Sequence, residues 1–172
     1  MIAASYIYRT AEDLVSQCGS RDPSVIADTL GIEILYNEFE NLLGAYTSLL
    51  GRRFIVLNTK LSKEMYNIVL AHEIGHDCLH SSDSSSFQEF SMVCKSGTLE
   101  YEANAFCAHL LIPNDSFFEA ALSGNTVENI AACLSVDPNI VLIKGNELVK
   151  MGYTLNNCDN YNSCFLRNRT PF

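Results

Sequence analysis

The chain has 172 residues, 48% of them hydrophobic and 18% charged, which is the composition of a folded globular domain and excludes a disordered or fibrous protein. Acidic residues outnumber basic ones by 20 to 11, giving a net charge of −9, so direct nucleic-acid binding is not expected, because it requires a basic surface. No apolar stretch reaches the roughly 20 residues of a membrane helix, and the first residues lack a secretory signal pattern, so no membrane association is expected.

The chain opens with two short predicted helices. Helical periodicity predicts the first over residues 11–17, and Asp22 as N-cap with Pro23 predicts the second over 24–30. Three β-rich runs then predict a small antiparallel sheet, at residues 32–36, 44–50 and 53–58. The last run could also pair with an extended peptide, although an ordinary paired strand is the default.

Five helices are predicted after the strands. Ser62 caps a central helix over 63–80, a polar loop follows at 81–86, and Thr98 caps a second strong helix over 99–111. Three shorter helices are predicted over 115–122, 126–134 and 140–151. Residues 126–149 superficially suit a helix-turn-helix, but Glu128 and Glu147 leave little basic surface, which favours plain packing elements.

The tail, 156–172, is polar and aperiodic and is predicted to be irregular. Cys158 and Cys164 are separated by five residues, which is not the spacing of a zinc ribbon. The seven cysteines form an odd, scattered set that is typical of reduced thiols. This predicts a cytoplasmic protein.

The strongest chemical signal is the segment His72-Glu73-Ile74-Gly75-His76 in the central helix. Two histidines four residues apart project from one helix face and can bind one Zn²⁺, while Glu73 points toward a metal-bound water. The alternative is that both histidines merely line a packed helix. It is disfavoured because their neighbours are apolar, and an unpartnered buried imidazole costs free energy.

Two further sources of a third ligand can be excluded. His80 continues the same helix face, but eight helical residues separate it from His72 by about 12 Å, whereas zinc–nitrogen bonds are about 2 Å long. We therefore expect His80 to lie behind the ligands or at the helix end. The metzincin pattern is absent, since Leu79 and Ser82 stand where that pattern requires glycine and histidine.

The third ligand is therefore expected from the next helix. Glu100 and Glu102 both lie near its start, and the sequence does not fix the rotation of that helix. Glu100 is favoured and Glu102 remains the alternative. Asn104, four residues after Glu100, could hydrogen-bond a ligand from the same face.

This arrangement predicts metal-assisted peptide hydrolysis. The ion lowers the pKa of water and polarises the scissile carbonyl, and Glu73 accepts a proton and passes it to the leaving amine. By residue type alone, His109, Tyr101 and Tyr46 are candidates for stabilising the oxyanion.

Three segments in order resemble the ImmA/IrrE family of zinc metallopeptidases. They are Phe54-Ile-Val-Leu-Asn, then Val69-Leu-Ala-His-Glu-Ile-Gly-His-Asp-Cys-Leu-His, then Glu100-Tyr-Glu-Ala-Asn-Ala-Phe-Cys-Ala-His-Leu-Leu-Ile-Pro. The last departs from the family pattern only at Cys107, where alanine is usual. The resemblance extends over about residues 5–151, and the tail matches nothing recognised.

The resemblance implies an α+β, minimal gluzincin-like fold, with a small sheet packed on the central helix. It implies His72, His76 and Glu100 as zinc ligands and Glu73 as general base. Residues 1–113 would form the zincin-like core, 114–155 a helical extension packed on it, and 156–172 a tail.

The resemblance also implies a partner. Members of the ImmA branch are antirepressors of mobile genetic elements that cleave a helix-turn-helix repressor, so a protein rather than DNA is the expected substrate. The acidic charge agrees with a basic partner. The alternative is an antirepressor that binds without cutting and uses its metal for stability.

Overall fold

The computed structural model describes residues 1–80, 97–123 and 126–155. The predicted loop at 81–86, the tail at 156–172 and three cysteines (94, 158 and 164) lie outside these residues. The fold is α+β, as predicted. Its elements are α1 (Ala4–Cys18), α2 (Pro23–Thr29), β1 (Ile32–Asn37), β2 (Gly44–Leu49), β3 (Arg52–Asn58), α3 (Lys63–His80), α4 (Gly97–Leu111), α5 (Asn114–Leu122), α6 (Val127–Leu134) and α7 (Pro138–Lys150).

Most helix starts follow the expected capping chemistry. The Asp22 carboxylate accepts from the backbone of Ser24, and the Ser62 hydroxyl accepts from the backbone of Met65. Several helix starts differ from the prediction, among them those of α1, α4 and α7. The first helix begins at Ala4 rather than at residue 11, and α4 already includes Gly97, so Thr98 lies inside the helix instead of capping it.

The sheet is mixed, and the prediction of an antiparallel sheet was wrong. The strand order is β1-β3-β2, with β2 antiparallel and β1 parallel to β3. The connection at residues 38–43 therefore crosses the end of β3, where the buried Asn58 amide donates to the carbonyls of Phe39 and Leu42 at 2.8 and 2.7 Å. Because β3 is the central strand, both of its edges are paired. It cannot add a substrate strand, and the default expectation of an ordinary paired strand is confirmed.

The middle of the core is formed by α3, which packs against the sheet on one side and α4 on another. Gly75 allows the close approach of α4, since a Cβ there would lie 3.1 Å from the Ala103 carbonyl oxygen and 3.1 Å from the Phe106 ring. A larger residue would force the two helices apart. The sequence thus sets the short distance between the helices that carry the predicted ligands.

Three other predictions concern membrane helices, cysteines and the bounds of the domains. No helix within the described residues is long and apolar enough to cross a membrane. The four described cysteines are free thiols: Cys18, Cys78, Cys107 and Cys133. The division of the chain into a core at residues 1–113, an extension at 114–155 and a tail at 156–172 stays a prediction.

Candidate metal centre

Three predicted ligands lie together between α3 and α4. The Nε2 atoms of His72 and His76 are 3.1 Å apart. A Glu100 oxygen lies 3.5 Å from the first and the other oxygen 3.4 Å from the second. Among the described residues this is the group of histidines, cysteines or carboxylates able to hold a metal, with ligand atoms within 4.8 Å of one another. Glu102 does not belong to it.

The spacing of these atoms fits a metal ion. Two ligand atoms that each lie about 2.0–2.1 Å from one tetrahedral ion are about 3.3 Å apart, close to the separations between the imidazole nitrogens and the carboxylate. Imidazole and carboxylate are both good ligands for zinc and for several other divalent ions. The Glu100 side chain is 29% exposed, so the cluster opens to solvent on one side.

Asn104 fixes the orientation and tautomer of His72. Its side-chain oxygen lies 2.8 Å from His72 Nδ1. Because an amide oxygen can only accept, Nδ1 carries the proton, and Nε2 presents its lone pair to the cluster. Histidines that bind metals generally have such a partner on the other ring nitrogen. His72 thus has the arrangement of a metal-binding histidine, with the proton on Nδ1 and a free lone pair on Nε2.

Electrostatic interactions within the cluster favour the charged carboxylate. Burial raises the pKa of Glu100, but hydrogen bonds with His72 and His76 lower it more, so its pKa lies well below the usual range. Burial lowers the pKa of His72, whereas its hydrogen bond with Glu100 and the charge of Glu73 raise it, with a net rise. The Glu100 carboxylate is therefore charged, as a metal ligand must be.

Glu73 lies beside the cluster on α3. Its side chain is buried, with 8% exposed, and its charge acts on His72. The sequence thus brings a carboxylate next to the candidate ligands, at the helix position expected for a general base. No contact with α4 is required to hold it there.

The residue after His76 ties α3 to the sheet. Asp77 is buried and accepts from Arg53 Nη1 at 2.7 Å, while Arg53 also donates to the Leu30 carbonyl. Tyr46 lies nearby, and burial and the Asp77 charge raise its pKa. This contact holds the histidine-bearing helix against β3. Sequence reasoning missed it, although an aspartate within the His-Glu-Ile-Gly-His-Asp segment was a possible signal.

The rival carboxylate, Glu102, faces a different part of the molecule. Its Oε2 lies 3.6 Å from His80 Nε2, and its Oε1 accepts from the backbone of Ile2. Both side chains are buried. His80 thus lies at the end of α3 beside Glu102, in agreement with its expected place outside the ligand set.

The candidates for oxyanion stabilisation lie elsewhere too. Tyr46 is near Asp77, and Tyr101 and His109 turn toward α7, where they contact Glu147 and Lys144. Glu147 is 1% exposed, so it adds no charge to the surface of this helix. It lies on the buried side of α7, together with Lys144.

The comparison with known proteins agrees with this site. A sequence profile of the IrrE N-terminal-like domain, the Peptidase M78 family, matches residues 27–144. The match covers more than half of the chain, and the chain belongs to this family of peptidases. A relative with 24% identity over 139 residues, 80% of this chain and 88% of that protein, is the uncharacterized immunity region protein 2 of Bacillus phage phi105.

Proposed function

We propose that this protein is a cytoplasmic zinc endopeptidase that cleaves a helix-turn-helix repressor and thereby relieves repression of mobile-element or stress genes. The observation that carries the proposal is the convergence of His72, His76 and Glu100 beside the buried Glu73 in a chain of the Peptidase M78 family. His72, His76 and Glu100 are the proposed ligands, and Glu73 is the proposed general base.

The chemistry divides between the ion and the chain. A Zn²⁺ at this position supplies a Lewis acid that polarises a carbonyl and lowers the pKa of water. Glu73 accepts the proton of the attacking water and delivers it to the nitrogen of the leaving amine. Asn104 keeps the His72 proton on Nδ1, and Glu100 contributes a negative charge. The solvent-open side of the cluster admits the peptide.

The proposed substrate is a basic, DNA-binding protein. The net charge of −9 would attract such a partner and speed its association. The phage relative bears the name of an immunity region, the kind of locus in which a repressor acts. These observations support a basic protein as the substrate.

Direct DNA binding is not proposed, because α6 and α7 present little positive charge. Lys144 is fully buried, and Lys150, although partly exposed, is paired with Glu147 and donates to Tyr101. A recognition helix needs basic or amide side chains directed at the groove.

The experiment is co-expression of the chain with the helix-turn-helix repressor encoded beside it. We expect repressor fragments with the wild type and none with Glu73→Gln, which should retain zinc. Exposed Glu64 lies on the same helix, and Glu64→Gln is the matched control that should cut normally. Relief of repression without fragments, equally by wild type and Glu73→Gln, would support the non-cleaving antirepressor instead.

A further inference from the structure

Tyr101, the residue after Glu100, is hydrogen-bonded to side chains of α7. The Tyr101 hydroxyl donates to Glu147 Oε1 at 2.5 Å and accepts from Lys150 Nζ at 2.7 Å and Asn146 Nδ2 at 2.9 Å. Lys150 Nζ also lies 4.0 Å from the centre of the tyrosine ring and 2.9 Å from Glu147 Oε1. One phenol of α4 is thus held by three side chains of α7.

A second attachment between the same helices lies two turns away. His109 Nδ1 is 3.0 Å from Lys144 Nζ, and its Nε2 is 3.8 Å from Glu147 Oε2. Tyr101 and His109 are eight residues apart, about 12 Å along a helix. The two residues converge on the Glu147 carboxylate from positions two turns apart on α4, and together they fix the rotation of α4 about its axis relative to α7.

Rotation of α4 decides where Glu100 points. Glu100 lies in the first turn of the helix, and helix ends fray unless side chains hold them. Adjacent helical residues differ by about 100° in direction. Fixing Tyr101 toward α7 therefore directs Glu100 toward α3, where it meets His72 and His76.

We propose that Tyr101 is a positioning residue for the metal centre: by binding Glu147, Asn146 and Lys150 of α7, it holds the first turn of α4 so that Glu100 stays directed at the ion. The inference rests on the proposed function, in that Glu100 is taken as a metal ligand. It gives the C-terminal helix a role in metal binding although it contributes no ligand.

The test compares zinc affinity with stability. Zinc affinity is measured by competition with a chromogenic chelator, and the free energy of unfolding of the zinc-free protein by urea titration. We expect Tyr101→Phe to weaken zinc binding about tenfold, the lower end of the effect of losing a supporting contact at a metal site. Lys150→Met, which removes a half-exposed partner, should weaken it in the same direction, and Lys150→Arg, which keeps the donors, should restore it.

The matched control is Ile140→Val, a buried change on α7 six residues before Asn146, the first of the side chains that hydrogen-bond the tyrosine. It should lower the free energy of unfolding, because it removes a buried methyl group, and leave zinc affinity unchanged. If Tyr101→Phe and Lys150→Met weaken zinc binding no more than Ile140→Val at equal loss of stability, the positioning role is wrong while the proposed function stands. If the wild type binds no zinc, both are overturned.

Discussion

Helix α4 contributes to one histidine–glutamate cluster that faces α3 and another that faces α7, and the two differ in exposure to solvent and in the presence of a lysine. Toward α3, Glu100 meets His72 and His76, with ligand atoms within 4.8 Å and one side open to solvent. Toward α7, His109 meets Glu147, both almost fully buried. There the Lys144 ammonium nitrogen lies within 3.0 Å of the imidazole. The same residue types thus form a candidate metal centre on one side of α4 and an internal ion-pair network on the other.

The comparison teaches that a histidine–glutamate cluster becomes chemically useful through access and the absence of a resident cation. In the buried cluster, Lys144 is hydrogen-bonded with the imidazole of His109, and Lys150 pairs with Glu147, so no further cation is required there. In the open cluster, two imidazole nitrogens face one carboxylate, and no lysine of the described residues pairs with that carboxylate. The roles of the two clusters can be separated by changing equivalent residues in each.

The largest expected difference comes from removing a histidine from each cluster. His76→Ala should weaken zinc binding about 10³-fold or more, since one ligand carries a sizeable share of the 10–16 kcal/mol typical of structural zinc sites. His109→Gln should leave affinity within a few-fold. Competition titration with a chelator measures both. Equal losses would mean that the metal lies elsewhere or that both clusters share it.

The next largest effect is expected from Glu147, on the free energy of unfolding. Glu147→Leu should lower the free energy of unfolding by about 3 kcal/mol, because it removes the acceptor that Tyr101 and Lys150 share in a buried site. Exposed Glu119 on α5 provides the control, since Glu119→Leu should change stability by less than about 0.5 kcal/mol. Urea denaturation of the zinc-free protein measures both. A Glu147→Leu protein as stable as the wild type would show that the buried cluster contributes nothing.

A smaller effect on zinc affinity is expected from Asn104, which supports His72. Asn104→Ala should weaken zinc binding about 10- to 100-fold, because the His72 Nδ1 proton loses its acceptor. Asn104→Asp keeps an acceptor at the same place and should bind nearly as well as the wild type. The pair is compared by chelator competition at one pH. If both substitutions weaken binding equally, the hydrogen bond does not orient the imidazole.

The last expected effect depends on pH. Burial lowers the pKa of Lys144 to about 7, below its ordinary value of about 10.4. The folded state thus binds fewer protons than the unfolded state between these values, and the lysine's unfavourable contribution is complete below pH 7 and disappears as pH rises toward 10. Stability of the wild type relative to Lys144→Met should therefore rise by up to about 1.4 kcal/mol per pH unit in this range. If the free energies of unfolding of the wild type and of Lys144→Met change equally with pH, the lowered pKa of Lys144 is contradicted.

The histidine pair could be predicted because its geometry is local. Four residues of helix bring His72 and His76 to one face whatever surrounds them. The choice between Glu100 and Glu102 depends on the rotation of α4, which long-range contacts with α3 and α7 decide. No sequence spacing encodes that rotation.

The errors have similar long-range origins. The parallel pairing of β1 depends on the crossing connection held by Asn58, whereas hairpin rules describe neighbouring strands only. The buried Lys144 and Glu147 were missed because a lysine and a glutamate three apart are typical of a solvated helix face. Their spacing from Ile140, four and seven residues, indicated the buried face of α7 and could have found them.

The central claim is that one metal ion binds between His72, His76 and Glu100. Its most direct test is an anomalous difference map, recorded at the zinc absorption edge, from crystals of the protein purified without chelators and supplied with Zn²⁺. We predict one peak about 2.0–2.2 Å from Nε2 of each histidine and from a Glu100 oxygen. A peak between His80 and Glu102, or none at the three predicted ligands, would contradict the account.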